Sequence, residues 1–228
     1  MRKLVLWGHH VDEYQEMFDM TRADFNSSIL EYGCGPSAIN SELHKSNSHI
    51  VSCDPLFNLD KNKLINEVEQ IFQKMVKRVE QDEEKFDFSS YGGLSGLIEK
   101  RKQGMKECFE DYNQGKEEKR YRSESGLELP FPDFTFDFAL SSHYLFAALD
   151  NKDVDYYLQA IRELARVAKE VRIFPLVDRF GQLSPFVGPV LLGLQQENYG
   201  VEIREVAYRL QPKGNAMLRV CAQQCAVT

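Results

Sequence analysis

Ser28-Ile29-Leu30-Glu31-Tyr32-Gly33-Cys34-Gly35-Pro36-Ser37-Ala38 is the stretch on which the fold turns. A short apolar run, the pattern of a buried strand, ends in two glycines that bracket a cysteine, and helical spacing follows over about 36–45. Glycines at a strand-to-helix turn let a ligand approach the backbone closely. The next apolar run, His49-Ile50-Val51-Ser52-Cys53, ends at Asp54, 21 positions beyond Gly33. An acid there is placed to hydrogen-bond a ribose diol. Plain turn duty for Gly33 and Gly35, and an ordinary strand-end role for Asp54 before Pro55, are the competing structural readings.

Outward from this loop the period keeps alternating. Val11, Tyr14, Phe18, Thr21 and Phe25 mark a leading helix. Downstream, Leu129-Pro130-Phe131-Pro132 makes a turn, and Phe136–Leu140 reads as a strand. A helix is expected from about Asp153 to Ala168, then a strand over Val171–Phe174 stopped by Pro175. Ser184-Pro185 has the form of a helix start, a capping residue followed by proline. Val201–Tyr208 and Ala216–Ala222 flank a turn at Gln211–Asn215, too short for a crossover helix, so these strands must be antiparallel. Strands alternating with helices and closed by a hairpin define an α/β fold whose sheet is mostly parallel.

One segment interrupts the pattern. Residues 60–122 hold 14 acidic and 14 basic side chains, so the whole net charge of −7 lies elsewhere. Leu64, Ile65, Val68, Ile71, Phe72, Met75, Val76 and Val79 form one helical stripe; Leu94, Leu97, Ile98, Met105, Cys108, Phe109 and Tyr112 form another. Ser89-Ser90-Tyr91-Gly92-Gly93 breaks them with turn chemistry. The segment 59–122 is expected to be a helical insertion within a single domain spanning 1–228. A solvated face is its simplest role. Its position between strands instead suggests a cap that walls a pocket together with the leading helix, with Trp7 ahead of that helix and Tyr91-Gly92-Gly93 as a hinge.

Composition narrows the function. With 228 residues the chain is long enough for a two-sided core. The acidic balance argues against nucleic acid or a polybasic membrane surface as partner. No run approaches the roughly 18 apolar residues of a membrane span, and MRKLVLWGHH is not expected to be a signal peptide. Five cysteines (Cys34, Cys53, Cys108, Cys221, Cys225) form no CxxC pair, so a disulfide framework is not expected and the chain reads as cytoplasmic.

Two cofactors compete for the glycine loop. Gly33-x-Gly35-x-x-Ala38 formally satisfies the dinucleotide fingerprint, which makes a nicotinamide-dependent oxidoreductase the alternative reading. Glu31 would repel a pyrophosphate, and Pro36 removes a backbone N–H where phosphate needs donors. A ligand carrying an ammonium and a sulfonium suits an acidic loop better. Glu31-x-Gly33-x-Gly35, Asp54, the Leu129–Asp137 run and the final hairpin together resemble class I S-adenosylmethionine-dependent methyltransferases. Ser141-Ser142-His143-Tyr144-Leu145-Phe146 resembles that superfamily's fourth motif, and Leu164-Ala165-Arg166-Val167 its fifth helix–strand unit. The segment around Gly115-Lys116 and Arg120-Tyr121 is similar to an uncharacterised bacterial branch. The likeness covers about 28–58 and 123–222.

The resemblance implies a doubly wound, seven-stranded Rossmann-like sheet and S-adenosyl-L-methionine as cofactor. It implies cofactor contacts at Glu31, Gly33, Cys34, Gly35, Asp54, Pro55, Ser125, Ser141 and Ser142, with His143 and Tyr144 near the reacting methyl. Ser123-Glu124-Ser125 stands where the superfamily often has an Asp near the adenine, and Ser37 where many members have a third glycine. The acceptor is expected to be a small molecule, with His143 either a proton acceptor or a structural histidine. A non-catalytic binding protein on the same fold is a further alternative. No metal is expected: His9 and His10 are adjacent, and no third ligand has suitable spacing.

Overall fold

The computed structural model describes residues 7–46, 48–149, 152–178 and 181–221. Its centre is a seven-stranded sheet in the order β3-β2-β1-β4-β5-β7-β6. The strands are β1 (Ile29–Tyr32), β2 (Ile50–Cys53), β3 (Tyr121–Arg122), β4 (Phe136–Ser142), β5 (Ala168–Phe174), β6 (Gly200–Glu205) and β7 (Ala216–Cys221). The first five run parallel; β7 is antiparallel to both β5 and β6. The helices are α1 (Val11–Phe18), α2 (Ile39–Lys45), α3 (Lys61–Gln81), α4 (Leu94–Glu117), α5 (Leu145–Ala148), α6 (Val154–Val167) and α7 (Val187–Gln196).

Each face of the sheet has its own core. Helices α1 to α4 pack Tyr14, Phe18, Ile39, Leu64, Phe72, Leu97 and Tyr112 with Ile29 and Leu140 on one side. Helices α5 to α7 pack Leu145, Tyr157, Ile161, Leu164 and Val190 with Leu30, Ala139 and Val171 on the other. Both stripes of the charge-rich segment are thus core stripes, as their spacing requires. Asp60 caps α3 by accepting from Lys63 N–H at 3.0 Å, and Asp153 caps α6 through Tyr156 N–H at 2.9 Å.

Several sequence expectations shift. The leading helix stops at Phe18, because Asp19 turns left-handed (φ 48°) and caps it. Phe25 reaches the core from a short 3-10 turn, Asp24–Asn26, held by reciprocal Thr21–Asp24 hydrogen bonds. The expected insertion ends inside the sheet: Tyr121–Arg122 pairs with Ser52–Cys53 as β3, so α3 and α4 form the connection from β2 to β3. Helix α7 starts at Val187, and Ser184 supplies only a preceding turn. Strand β6 ends at Glu205; Val206, Tyr208 and Leu210 keep the alternating pattern but leave the ladder to bury themselves against the α1–α4 core. Ala222 and Cys225 lie outside the described residues, and Cys34, Cys53, Cys108 and Cys221 are free thiols. No helix among the described residues is long and apolar enough to cross a membrane.

Candidate functional site

The chain leaves β1 toward β2 on one side, while β4 flanks β1 on the other. A doubly wound sheet opens a crevice at such a reversal, above the carboxyl ends of its strands. Gly33–Ala38, Asp54, Ser142–Tyr144 and the segment Trp7–His10 converge there.

The glycine loop is held on both sides. Gly33 (φ 70°) and Gly35 (φ 59°) take the left-handed conformation that favours glycine. Gly33 N–H donates to the Cys53 carbonyl at 2.8 Å and Gly35 N–H to Asp54 Oδ2 at 2.8 Å. Ala38 N–H donates to the His9 carbonyl at 2.9 Å, while the Pro36 carbonyl accepts from Gly8 N–H at 2.9 Å. The amides a pyrophosphate would need at Gly33, Gly35 and Ala38 are therefore committed, and Pro36 has none. This geometry disfavours the nicotinamide alternative.

The loop's two acids are buried. Asp54 also accepts from Leu56 N–H at 2.9 Å; burial nonetheless raises its pKa to about 6, against the pull of those two N–H groups. Glu31 lies fully buried and accepts from the hydroxyls of Ser52 and of Ser37, the latter at 3.3 Å. Burial raises its pKa to about 7, opposed by the Ser52, Tyr14 and Ser37 hydroxyls. The Tyr14 hydroxyl is buried facing Glu31 and Ser142, close enough to act on the Glu31 carboxyl but outside hydrogen-bond geometry with any described residue.

Beside this pair lies a second polar cluster, built by residues far apart in the chain. Arg101 of α4 is fully buried; its Nη1 and Nη2 donate to the two oxygens of Glu13 of α1 at 2.6 and 2.7 Å. Arg101 Nη2 also reaches Tyr208 Oη at 2.9 Å, and Tyr91 Oη donates to Glu13 Oε1 at 2.6 Å. Burial opposes ionisation of Glu13, but His9 and Arg101 outweigh it and hold the carboxyl well below its ordinary range. His9 is buried, with Nδ1 3.7 Å from Glu13 Oε2, and neither ring nitrogen makes a hydrogen bond to another described residue. Burial and the Arg101 charge lower its pKa to about 4. His143 stacks on it at 5.0 Å between centroids, with Nδ1 2.9 Å from Ser142 Oγ. Burial, His9 and Arg101 hold His143 well below the ordinary histidine value. Both imidazoles are therefore neutral near pH 7, and His143 is a weak proton acceptor there.

The remaining expected residues are spread around the crevice. The Tyr144 ring rests on Gly33 and meets Tyr32 edge-on at 5.5 Å. The Cys34 thiol is buried near Glu31 and Asp54, and burial raises its pKa well above the ordinary value. Pro55 is exposed beside Asp54, and the Ser125 carbonyl accepts from Tyr32 Oη at 3.0 Å. Glu31 lies beside Leu140 in the ladder, so strand alternation puts Ser142 on the Glu31 face and Ser141 on the other. The fold also supplies what spacing did not show beside His10. Its Nδ1 lies 2.7 Å from Glu42 Oε1, and Glu107 completes a group whose ligand atoms lie within 4.8 Å of one another. His10 Nε2 also faces the Lys100 carbonyl at 3.3 Å. Contacts with two acceptors favour the protonated ring, and the Glu42 hydrogen bond raises its pKa despite burial.

Residues 100–171 match the family described as Methyltransferase domain. That match covers about a third of the chain, and the seven-stranded sheet with its antiparallel end is the one that the resemblance to class I S-adenosylmethionine-dependent methyltransferases implied. An uncharacterized protein of Methanocaldococcus jannaschii is 25% identical over 219 residues, 96% of each chain. The likeness is thus not confined to bacteria. Similar solved structures include a SAM-dependent methyltransferase from Aquifex aeolicus (18% identity, 92% of each chain, TM-score 0.42). Another, from Methanosarcina mazei, has 12% identity over 95% of this chain and 100% of its own, at TM-score 0.47.

Proposed function

We propose that this chain transfers the methyl group of S-adenosylmethionine to a small, uncharged or weakly charged acceptor at the carboxyl ends of β1 and β4. The carrying observation is enclosure. Trp7–His10, α1, α4, Tyr91 and Tyr208 cover that end of the sheet, and such a roof admits a small molecule more readily than a polymer. The cluster beneath it is balanced in charge, with Arg101 paired to Glu13 and both imidazoles neutral.

The chain's own groups fit the cofactor. Glu31 is a buried carboxylate hydrogen-bonded by hydroxyls, and a cationic ligand would favour its ionised form. Tyr14 offers a spare hydroxyl, and the bare faces of Gly33 and Gly35 are wide enough to seat aromatic rings. Glu31, Gly33 and Gly35 would line the methionine end, with Asp54 at the ribose. When bound, S-adenosylmethionine supplies a methyl already activated by the sulfonium, so orientation of the acceptor provides most of the rate. His143 and Ser142 would position the acceptor by hydrogen bonds. The α3–α4 segment would serve as the roof of the pocket.

Calorimetric titration with S-adenosylmethionine, S-adenosylhomocysteine and NAD tests the reading. Binding of the first two alone supports it; binding of NAD alone would replace it with the oxidoreductase. A turnover screen over small hydroxyl, amine and thiol acceptors then separates an enzyme from a non-catalytic binding protein.

A further inference from the structure

We infer that Trp7 and Tyr144 form a two-ring gate on the glycine loop, which must swing aside before the loop can be occupied. The inference rests on the cofactor reading above and adds how access to that site is controlled. A Cβ built on Gly33 would fall 2.1 Å from the Tyr144 ring, and one on Gly35 would fall 2.3 Å from the Trp7 indole nitrogen. Each ring therefore packs against a surface that only glycine leaves bare. Those are the surfaces a ligand on this loop must use. Filling them with aromatic faces avoids leaving voids without contact partners.

The geometry also says which parts can move. Trp7 precedes Gly8, and Gly8 is wedged: a Cβ there would meet the Arg101 carbonyl at 2.0 Å, and one on Gly104 would meet the Gly8 carbonyl at 2.3 Å. With Gly8 N–H bonded to Pro36 and the His9 carbonyl bonded to Ala38, the backbone of 8–9 is clamped between the loop and α4. The indole, one residue upstream and half-buried, must leave by side-chain rotation. On the other side, His143 holds a left-handed backbone (φ 53°) that aims Tyr144 back over Gly33. Such a conformation is costly for a residue with a Cβ and persists where the surroundings enforce it. Here the His143 N–H is fixed to the Phe174 carbonyl at 2.6 Å.

A gate of this kind lowers apparent affinity by the fraction of molecules that stand open. Removing either ring raises that fraction, so affinity should rise rather than fall. A residue that merely lines the bound ligand would behave in the opposite way.

The chain contains a single tryptophan, and it is the gate residue. Intrinsic emission therefore reports on Trp7 alone, without a label or a substitution. Wild-type protein, Trp7→Ala and Tyr144→Ala are titrated with S-adenosylhomocysteine by calorimetry, and the wild type also by tryptophan emission. The gate predicts emission moving to longer wavelength along the calorimetric isotherm, and binding at least about fivefold tighter in both variants. Binding by the variants alone also supports it. Wild-type binding with unmoved emission, or variants of unchanged or weaker affinity, overturns the gate and leaves the cofactor reading standing. No heat with any of the proteins overturns the cofactor reading and the gate together. If a variant does not fold by circular dichroism, wild-type emission and the other variant decide.

Discussion

Glu31→Gln should make the unliganded protein more stable at alkaline pH and leave it no more stable in acid. Glu31 is fully buried, and its pKa rises from an ordinary 4.5 to about 7 in the folded chain. For a group whose folded pKa is raised, the stabilising contribution is complete below the unfolded pKa and is lost as pH climbs through the folded one. The window is therefore pH 4.5 to about 7. At 1.36 kcal/mol per unit the full loss is about 3 kcal/mol. Glutamine has no charge to bury, but its amide nitrogen cannot accept a hydrogen bond from Ser37 or Ser52, which costs about 1 kcal/mol. The net gain at about pH 8.5 is then about 2 kcal/mol, or roughly 4–8 °C in a chain of this size. Near pH 5 the sign reverses to a loss of up to about 1 kcal/mol. Calorimetric melts of both proteins across this range measure the difference directly, and the titration of Asp54 largely cancels on subtraction. A difference in melting temperature that does not change with pH would refute the assignment of a buried, late-ionising carboxylate. Cofactor should invert the comparison, because a cation beside Glu31 favours the ionised acid that glutamine lacks.

Arg101→Met leaves Glu13 buried without its charged partner and should cost about 3–5 kcal/mol in denaturant unfolding. Adding Glu13→Gln should recover a large part of that loss. Asp54→Asn replaces an acceptor of two N–H groups with an amide that can accept only through its oxygen. Affinity for S-adenosylhomocysteine should fall by about 1.5–3 kcal/mol, read by calorimetry. His10 has a raised pKa, so the stability it adds is present below its unfolded pKa and fades as pH rises through the folded value. The melting difference between wild type and His10→Ala should therefore shrink as pH rises above the ordinary histidine value of 6.5. Amide exchange should find residues 97–112 of α4 strongly protected with or without cofactor, while residues 7–10 and 143–146 respond to it.

The fold was legible because its signals are local. Gly33-x-Gly35 after a buried run, Asp54 at the end of the next run and the chain-end hairpin each lie within a few residues and depend on backbone chemistry. Strand β3 was not legible on its own: Tyr121–Arg122 is two residues long and follows a charge-rich helix. Half of the candidate site was equally hidden. Glu13 and Arg101 stand 88 positions apart, and on spacing alone each reads as one more solvated charge among many. The buried stripe of α4 does pass through Leu97, Arg101, Met105 and Cys108 at steps of four and three. An arginine on an otherwise apolar face was the signal available. His9 was conspicuous only as a neighbour of His10, which pointed toward metal chemistry. The fold separates the two: His9 enters the crevice, and His10 ties α1 to α2 and α4.

The arrangement of fixed and movable parts follows from these contacts. Tyr91-Gly92-Gly93 looks hinge-like in sequence, and both glycines do take positive φ in open space. Yet Tyr91 is fastened to Glu13 and lies 3.1 Å from Tyr208 Oη, while Asp87 N–H is bonded to the Leu210 carbonyl at 2.8 Å. Opening the roof at that hinge would expose the Glu13–Arg101 pair and break several buried hydrogen bonds at once. Each broken partner would leave an unsatisfied polar group, at about 1–3 kcal/mol apiece. Rotating Trp7 and Tyr144 breaks no hydrogen bond found among the described residues and gives up only ring contacts. The cheaper motion is therefore the side-chain one. On the proposed reading, a roof locked by a buried ion pair and entered past two aromatic rings would keep a ligand on the glycine loop away from bulk water while the neutral histidines stay in place.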